Sequence, residues 1–156
     1  MKKIHFLDDQ IPIEQTNLLA IHCSLEAYQL AFEINKLTGS QFRRTKNDID
    51  LPQKNAFYAR YEWVDPKTDH HYDFFTNIYK DITQDKASKS FALFEQPIVK
   101  EVYLLPELYT VNYFIKTNHL EQLRQLKNTL NQLNAISLVY IPPTAKVKNH
   151  LNLIFD

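Results

Sequence analysis

The sequence predicts an α+β fold: a two-layer sandwich in which two helices pack on one face of a mixed, mostly antiparallel sheet. The first observation is a strand–helix unit near each end of the chain, over residues 17–39 and 110–141. The second is an aromatic hairpin between them, over residues 55–79. A chain of 156 residues has the usual size of one domain with one core, so we expect a single domain over residues 1–156.

The first strand–helix unit begins with the short apolar strand "NLLAIHC" at residues 17–23. Ser24 is predicted to cap the helix that follows, and Glu26 suits the positive end of the helix dipole. Gly39 is predicted to end the helix because glycine adopts a positive φ without a steric penalty. An apolar stripe at helical spacing predicts the buried face: Leu25, Tyr28, Ala31, Phe32 and Leu37.

The central hairpin is predicted from two aromatic segments, residues 55–64 and 70–79, on either side of "DPKTD". Along the first arm, aromatic and polar side chains alternate, which is typical of a sheet with one covered face. This alternation places Tyr58 and Arg60 on the same face of the arm.

The second strand–helix unit follows a bend at Pro106 and begins with a strand at residues 110–117. Asn118 is predicted to cap its helix, with Glu121 completing a capping box. Leucines at helical spacing predict the core face of this helix: Leu120, Leu123, Leu126, Leu130 and Leu133. Other predicted segments are a last strand at 136–141, short strands at 42–45, 91–94 and 99–104, and a polar loop at 80–90. The order of elements is ferredoxin-like in outline.

The glycine content excludes several classes of nucleotide-binding enzyme. Gly39 is the only glycine in the chain, whereas phosphate-binding loops and dinucleotide fingerprints need two or more. A nucleophile elbow also requires a serine between spaced glycines, and this chain has none. We therefore expect no cofactor and no enzyme of these designs.

The charge balance and the single cysteine bear on partners and compartment. The chain has 18 Lys or Arg and 18 Asp or Glu, so no global field attracts it to nucleic acid or anionic lipid. Cys23 cannot form an internal disulfide, and a lone thiol suits a reducing compartment. No signal sequence is evident, and no apolar stretch approaches the roughly 20 residues of a membrane helix. We expect a cytoplasmic protein that does not contact a membrane.

A cluster of histidine and aspartate opens the second arm of the hairpin with "HHYD" at residues 70–73. His70 and His71 are adjacent on a strand, so their side chains point to opposite faces. His71 and Asp73 share a face, but they provide two ligands where a zinc or manganese site needs three or four. The sequence therefore predicts no metal at this position.

The aromatic content, 13% of the chain, suggests a hypothesis of RNA binding. Single-stranded RNA stacks its bases on exposed aromatic rings beside basic side chains. Tyr58 and Arg60 share a strand face, and Arg43, Arg44 and Lys46 are near in sequence. An RNA-associated accessory protein is therefore one alternative, although no recognised RNA-binding signature is present.

Three segments resemble a family of small uncharacterised bacterial proteins that carry the signature IPExxxDY. They are "LEAYQLAFEINKLTG" at 25–39, "LPELYTVNY" at 105–113 and "NLIF" at 152–155, so the resemblance spans nearly the whole chain. The family has no established activity, and the resemblance implies only a bacterial source, a size and a shape.

The second segment matches the signature at Pro106, Glu107 and Tyr113. Leu105 replaces the isoleucine, Asn112 replaces the aspartate, and four residues rather than three separate Glu107 from Asn112. An amide at this position cannot act as a general base.

Glu107 follows Pro106 at the predicted bend, where we expect it to accept hydrogen bonds from backbone amides or from a basic group. A lone acid without a second acid, a histidine or metal-ligand spacing is a poor catalyst. Glu107 and Tyr113 are therefore candidates for a binding surface rather than for catalysis.

The leading functional prediction is a non-enzymatic protein-binding or adaptor module, because catalytic motifs are missing while the chain is rich in aromatic residues. The expected partner is another cytoplasmic protein or a second copy of the chain, and RNA is the alternative. The candidate binding residues are Glu107, Tyr113, Arg43, Arg44, Tyr58 and Arg60. A small hydrolase that uses Glu107 or His71 ranks third.

Overall fold

The computed structural model describes residues 17–83 and 98–155. The strand predicted at 91–94, and most of the polar loop predicted at 80–90, lie outside these residues. Neither of the two α-helices in the described part is long and apolar enough to cross a membrane.

The described residues form ten strands and two α-helices, numbered in chain order. The strands are β1 (Asn17–Cys23), β2 (Arg43–Arg44), β3 (Ile49–Leu51), β4 (Ala56–Tyr58), β5 (Arg60–Val64), β6 (His71–Thr76), β7 (Ile78–Thr83), β8 (Ile98–Tyr103), β9 (Tyr113–Thr117) and β10 (Ile136–Tyr140). The helices are α1 (Ala27–Thr38) and α2 (Leu120–Leu130).

Six of the strands form the main sheet in the order β10-β1-β9-β6-β5-β2. Every neighbouring pair in this sheet is antiparallel. Strands β10, β1, β9 and β6, with α1 after β1 and α2 between β9 and β10, have the strand order of a ferredoxin-like core. The predicted α+β class and its ferredoxin-like outline are therefore confirmed. Strands β5 and β2 extend this core at one side.

Both helices pack on the same face of the main sheet, as predicted. Their buried side chains contact the inward residues of β1, β6 and β9 in one apolar cluster. Its members from these elements are Leu19, Ile21, Cys23, Leu30, Ala31, Ile34, Tyr72, Phe74, Tyr113, Ile115, Leu123 and Leu130. Burial of alternate strand residues under two amphipathic helices is what gives this face its core.

The opposite face of the main sheet is also covered, which the sequence analysis did not anticipate. A second apolar cluster lies there, and it brings together Leu18, Ala20, Phe75 and Phe114 of the sheet with short segments from elsewhere. Those segments are the β3–β4 hairpin, residues 104–111 and residues 147–153. The two hairpin strands alternate buried and exposed residues over only three positions each, and the other two segments lack a clear period of two or 3.6 residues, so no sequence pattern marks them as core.

The predicted caps of both helices are wrong by one or two residues. The N-cap of α1 is Glu26, not Ser24, because Glu26 and Gln29 form a reciprocal capping box with the Glu26 amide 3.1 Å from Gln29 Oε1. The N-cap of α2 is His119, not Asn118, and its side chain makes no capping hydrogen bond. At the other end of α1, Gly39 has φ of 74° and donates to Asn35 O at 2.9 Å, so the predicted left-handed cap is confirmed.

The hairpin prediction is confirmed with shorter arms. Strands β5 and β6 pair across the turn, where Asp65 N–H donates to His70 O at 2.9 Å. The first predicted arm is divided, since β4 pairs with β3 in a separate two-stranded sheet. The second arm is interrupted at Asn77, after which β7 pairs with β8.

The buried face of α1 differs from the predicted stripe. Leu30, Ala31 and Ile34 are its buried residues, whereas Tyr28 is 65% exposed and Phe32 is 63% exposed. Two apolar stripes at helical spacing compete in this helix, and the sequence alone does not say which one contacts the sheet.

Candidate functional site

The segment at 105–113 is held in place by Asn77, a fully buried residue just beyond β6. The Asn77 side chain accepts from Leu105 N–H at 2.8 Å and donates to Leu108 O and Val111 O, both at 2.9 Å. Its backbone N–H donates to Asn112 O at 2.9 Å. One polar side chain thus satisfies the backbone groups of an irregular buried segment, as buried polar groups require.

Glu107 lies in a 3-10 turn, Pro106–Leu108, and accepts hydrogen bonds from a distant segment. Its Oε2 accepts from Lys148 N–H at 2.6 Å and Asn149 N–H at 2.8 Å, and its Oε1 accepts from Asn149 Nδ2 at 2.7 Å. Partial burial raises the pKa of Glu107, but these hydrogen bonds outweigh burial and hold the pKa below its ordinary value. The carboxylate therefore connects the 105–113 segment to the C-terminal part of the chain.

Asn112 and Tyr113 connect the same segment to the end of β1 and to the residues just before α1. Asn112 Oδ1 accepts from Cys23 N–H at 2.9 Å, at the end of β1. The Tyr113 hydroxyl donates to Leu25 O just before α1, and burial raises the pKa of this phenol. Tyr113 is buried, so its ring is not part of an open surface.

The residues of the RNA hypothesis are not brought together on one exposed face. Tyr58 is fully buried, its hydroxyl donates to Val102 O at 3.0 Å, and burial raises its pKa to about 12. Arg43 and Arg44 are exposed, and Arg44 pairs with Asp48 and lies 5.7 Å from the Tyr61 ring centre. A buried Tyr58 is not available to stack on a base.

Arg60, the last of the predicted candidates, belongs instead to a charged cluster on the sheet face opposite the helices. This cluster comprises Arg60, Glu62, His71, Asp73 and Lys116. Asp73 is its centre: it is 1% exposed, and Arg60 Nε and Nη2 each lie 2.8 Å from its Oδ1. Lys116 Nζ and His71 Nδ1 lie 3.7 Å and 3.5 Å from its Oδ2.

The charged cluster borders a polar concavity of about 360 Å³. Its wall also contains Asp69, Thr117, His119 and Phe155. Phe155, near the end of the chain, lies under two of the cations, with Lys116 Nζ 3.9 Å and Arg60 Cζ 5.0 Å from its ring centre.

Sequence reasoning found His71 and Asp73 but not Glu62 or Lys116. Glu62 lies opposite Asp73 in the β5–β6 register, and Lys116 lies opposite Asp73 in the β6–β9 register. The hairpin prediction recognised both arms and the turn but gave no register, so it did not place Glu62 opposite Asp73. The second depends on a contact between strands far apart in sequence, which no local pattern reports.

A second candidate surface is the outer side of α1, called here the α1 aromatic face. It comprises Leu25, Tyr28, Gln29, Phe32 and Glu33, which line one shallow concavity. Tyr28 and Phe32 are four residues apart and so lie side by side on the helix surface.

Comparison with known proteins gives no match: no protein-family model, no curated protein and no solved structure is similar to this chain. The resemblance to the IPExxxDY family stays a prediction.

Proposed function

We propose that this protein is a non-enzymatic protein-binding module that binds its partner through the α1 aromatic face. The observation that carries the proposal is the exposure of Tyr28 and Phe32, at 65% and 63%, on the outer side of a well-packed helix. A helix over a sheet normally presents polar side chains to solvent. Two adjacent exposed rings on one such helix are typical of a surface that is covered by another protein.

Burial of the Tyr28 and Phe32 rings is the main favourable contribution that we expect to the free energy of association. Fully burying one large apolar side chain contributes roughly 1.5–3 kcal/mol. Aromatic residues are enriched at the centres of protein interfaces, and polar residues at their rims. On α1, Gln29 and Glu33 flank the two rings and supply such a rim.

The partner that fits this face best is α1 of a second copy of the chain, packed antiparallel. In that arrangement Tyr28 of one copy lies against Phe32 of the other. The two helix dipoles also oppose each other, and a two-fold dimer is the commonest symmetric assembly.

The test is the molecular mass of the purified chain in solution, measured by analytical ultracentrifugation over a range of concentrations. We expect a concentration-dependent dimer, and we expect the Phe32→Ser variant to be monomeric. Leu151→Ser is the matched control, because Leu151 is also strongly exposed but lies outside α1. A monomeric wild-type chain, or a dimer that persists in Phe32→Ser, would contradict the proposal.

The Leu138→Ser variant separates two ways of self-association. Leu138 is exposed at the middle of β10, an edge strand without charged side chains, and such edges can pair with a second strand. Loss of the dimer in Leu138→Ser but not in Phe32→Ser would move the interface from α1 to β10. Capture of partners that disappear on nuclease treatment would instead favour the RNA-associated alternative, for which Arg43 and Lys46 are exposed.

A further inference from the structure

Three side chains that can bind a metal ion lie together on the face opposite the helices: Glu62 of β5, and His71 and Asp73 of β6. Their ligand atoms, one from each residue, all lie within 4.8 Å of one another. The sequence analysis counted two ligands at this position, His71 and Asp73. Glu62 supplies the third.

The strand register explains why the three side chains meet. Glu62 is directly opposite Asp73, and His71 precedes Asp73 by two residues on the same face of β6. Strands β5 and β6 are both interior in the main sheet, so their backbones are paired on each side. Ligands on such strands are positioned more rigidly than ligands on loops.

Direct opposition of two carboxylates is unfavourable unless a cation lies between or beside them. Arg60 is one such cation, and its Nε and Nη2 each lie 2.8 Å from Asp73 Oδ1. The other oxygen, Oδ2, is the one directed toward His71, at 3.5 Å from Nδ1. Arg60 thus orients the buried carboxylate through Oδ1, as outer partners of metal ligands commonly do, while Oδ2 is shared by His71 and Lys116.

The two remaining ligands have freedom to adjust. Glu62 Oε2 lies 3.3 Å from His71 Nε2, and both side chains are about half exposed. His71 contacts Asp73 through Nδ1 and Glu62 through Nε2, so both exposed side chains must rotate to direct one nitrogen and one oxygen to a shared ion. Lys116 Nζ lies 3.7 Å from the same Oδ2 and also donates to Leu153 O at 2.7 Å.

We propose that Glu62, His71 and Asp73 form a binding site for a divalent transition-metal ion, with Zn²⁺ as the expected ion and water in the remaining positions. One imidazole nitrogen and two carboxylate oxygens suit Zn²⁺, and three protein ligands with a water complete a tetrahedral site. Zn²⁺ also binds such ligands more tightly than Mn²⁺ does. Because Arg60 and Lys116 already lie beside the two carboxylates, we expect micromolar rather than nanomolar affinity.

The experiment is calorimetric titration of Zn²⁺ into the untagged, metal-stripped full chain. We expect one ion per chain. Glu62→Gln and His71→Gln each remove one ligand at an exposed position, and each should weaken binding by about 10-fold or more. His150→Gln is the matched control, since it removes a histidine outside the site, and it should leave the affinity unchanged.

A second measurement uses Co²⁺ in place of Zn²⁺. Visible absorption of the bound Co²⁺ should show four-coordinate geometry, and the band should be lost in His71→Gln. Absence of saturable Zn²⁺ binding would overturn the proposal, as would binding that survives both Glu62→Gln and His71→Gln. Circular dichroism of each variant establishes that a loss of binding is not a loss of fold.

Discussion

Glu107 accepts three hydrogen bonds from two consecutive residues, Lys148 and Asn149. Glu107→Ala removes all three hydrogen bonds to a charged acceptor, so we expect a loss of roughly 1–3 kcal/mol in the free energy of unfolding. Glu107→Gln keeps one oxygen for the two amides, and the Asn149 amide can turn to accept from the new NH₂ group. It should therefore lose much less, and urea denaturation of both variants measures the difference.

The same carboxylate predicts a pH dependence. Because its folded pKa lies below the ordinary value of 4.5, the ionised form contributes stability above that value, and the contribution is lost as the pH falls through the folded pKa. The difference in stability between the wild type and Glu107→Ala should therefore be largest near neutral pH and shrink in acid. A difference that stays constant from neutral pH to acid would contradict the role of the charged form.

At the scale of the element, local sequence patterns determine where α1 forms and where it ends, but they do not determine which face of α1 is buried. The helix and its glycine cap follow from the sequence, because an apolar period of 3.6 residues and one glycine are local signals. The choice of buried stripe does not, because the Leu30–Ile34 stripe and the Tyr28–Phe32 stripe have similar apolar content. Contact with the sheet decides between them, and that contact is not local.

The difference in burial between the two stripes predicts how much a substitution in each stripe of α1 changes the free energy of unfolding. Leu30 is fully buried, so Leu30→Ala should cost about 2–5 kcal/mol of unfolding free energy. Phe32→Ala should change the stability of the monomer by no more than about 0.5 kcal/mol, because its ring is mostly in solvent. Chemical denaturation at a concentration low enough to keep the chain monomeric compares them. A larger loss in Phe32→Ala than in Leu30→Ala would reverse the assignment of the faces.

At the scale of the whole molecule, the main sheet separates two apolar clusters. The sequence predicts more of the cluster on the helix side than of the cluster on the opposite side. The helix-side cluster is built from periodic segments; Leu123 and Leu130 of α2 were predicted to belong to it, whereas Leu30 and Ile34 of α1 were not. The opposite cluster depends on the 104–111 and 147–153 segments, which have no period. The charged cluster shares this limitation, since Lys116 reaches Asp73 only through the pairing of β6 with β9.

The C-terminal segment, residues 148–155, is attached to the rest of the molecule near both of its ends. Glu107 binds its beginning through Lys148 and Asn149. The other end of the segment is held by the Phe155 ring. The centre of this ring lies 5.0 Å from the centre of the Phe75 ring and 3.9 Å from Lys116 Nζ. If the segment is ordered as one unit, then release of either end weakens the attachment of the other.

We therefore expect the effects of Glu107→Ala and Phe155→Ala on the free energy of unfolding to be non-additive. Each single variant should destabilise the chain, and the double variant should lose less than the sum of the two, by about 0.5 kcal/mol or more. The two residues do not share a hydrogen-bond partner, so coupling of this size must pass through the segment between them. A double-mutant cycle by urea denaturation measures it. Additivity within about 0.3 kcal/mol would show that the two ends are held independently.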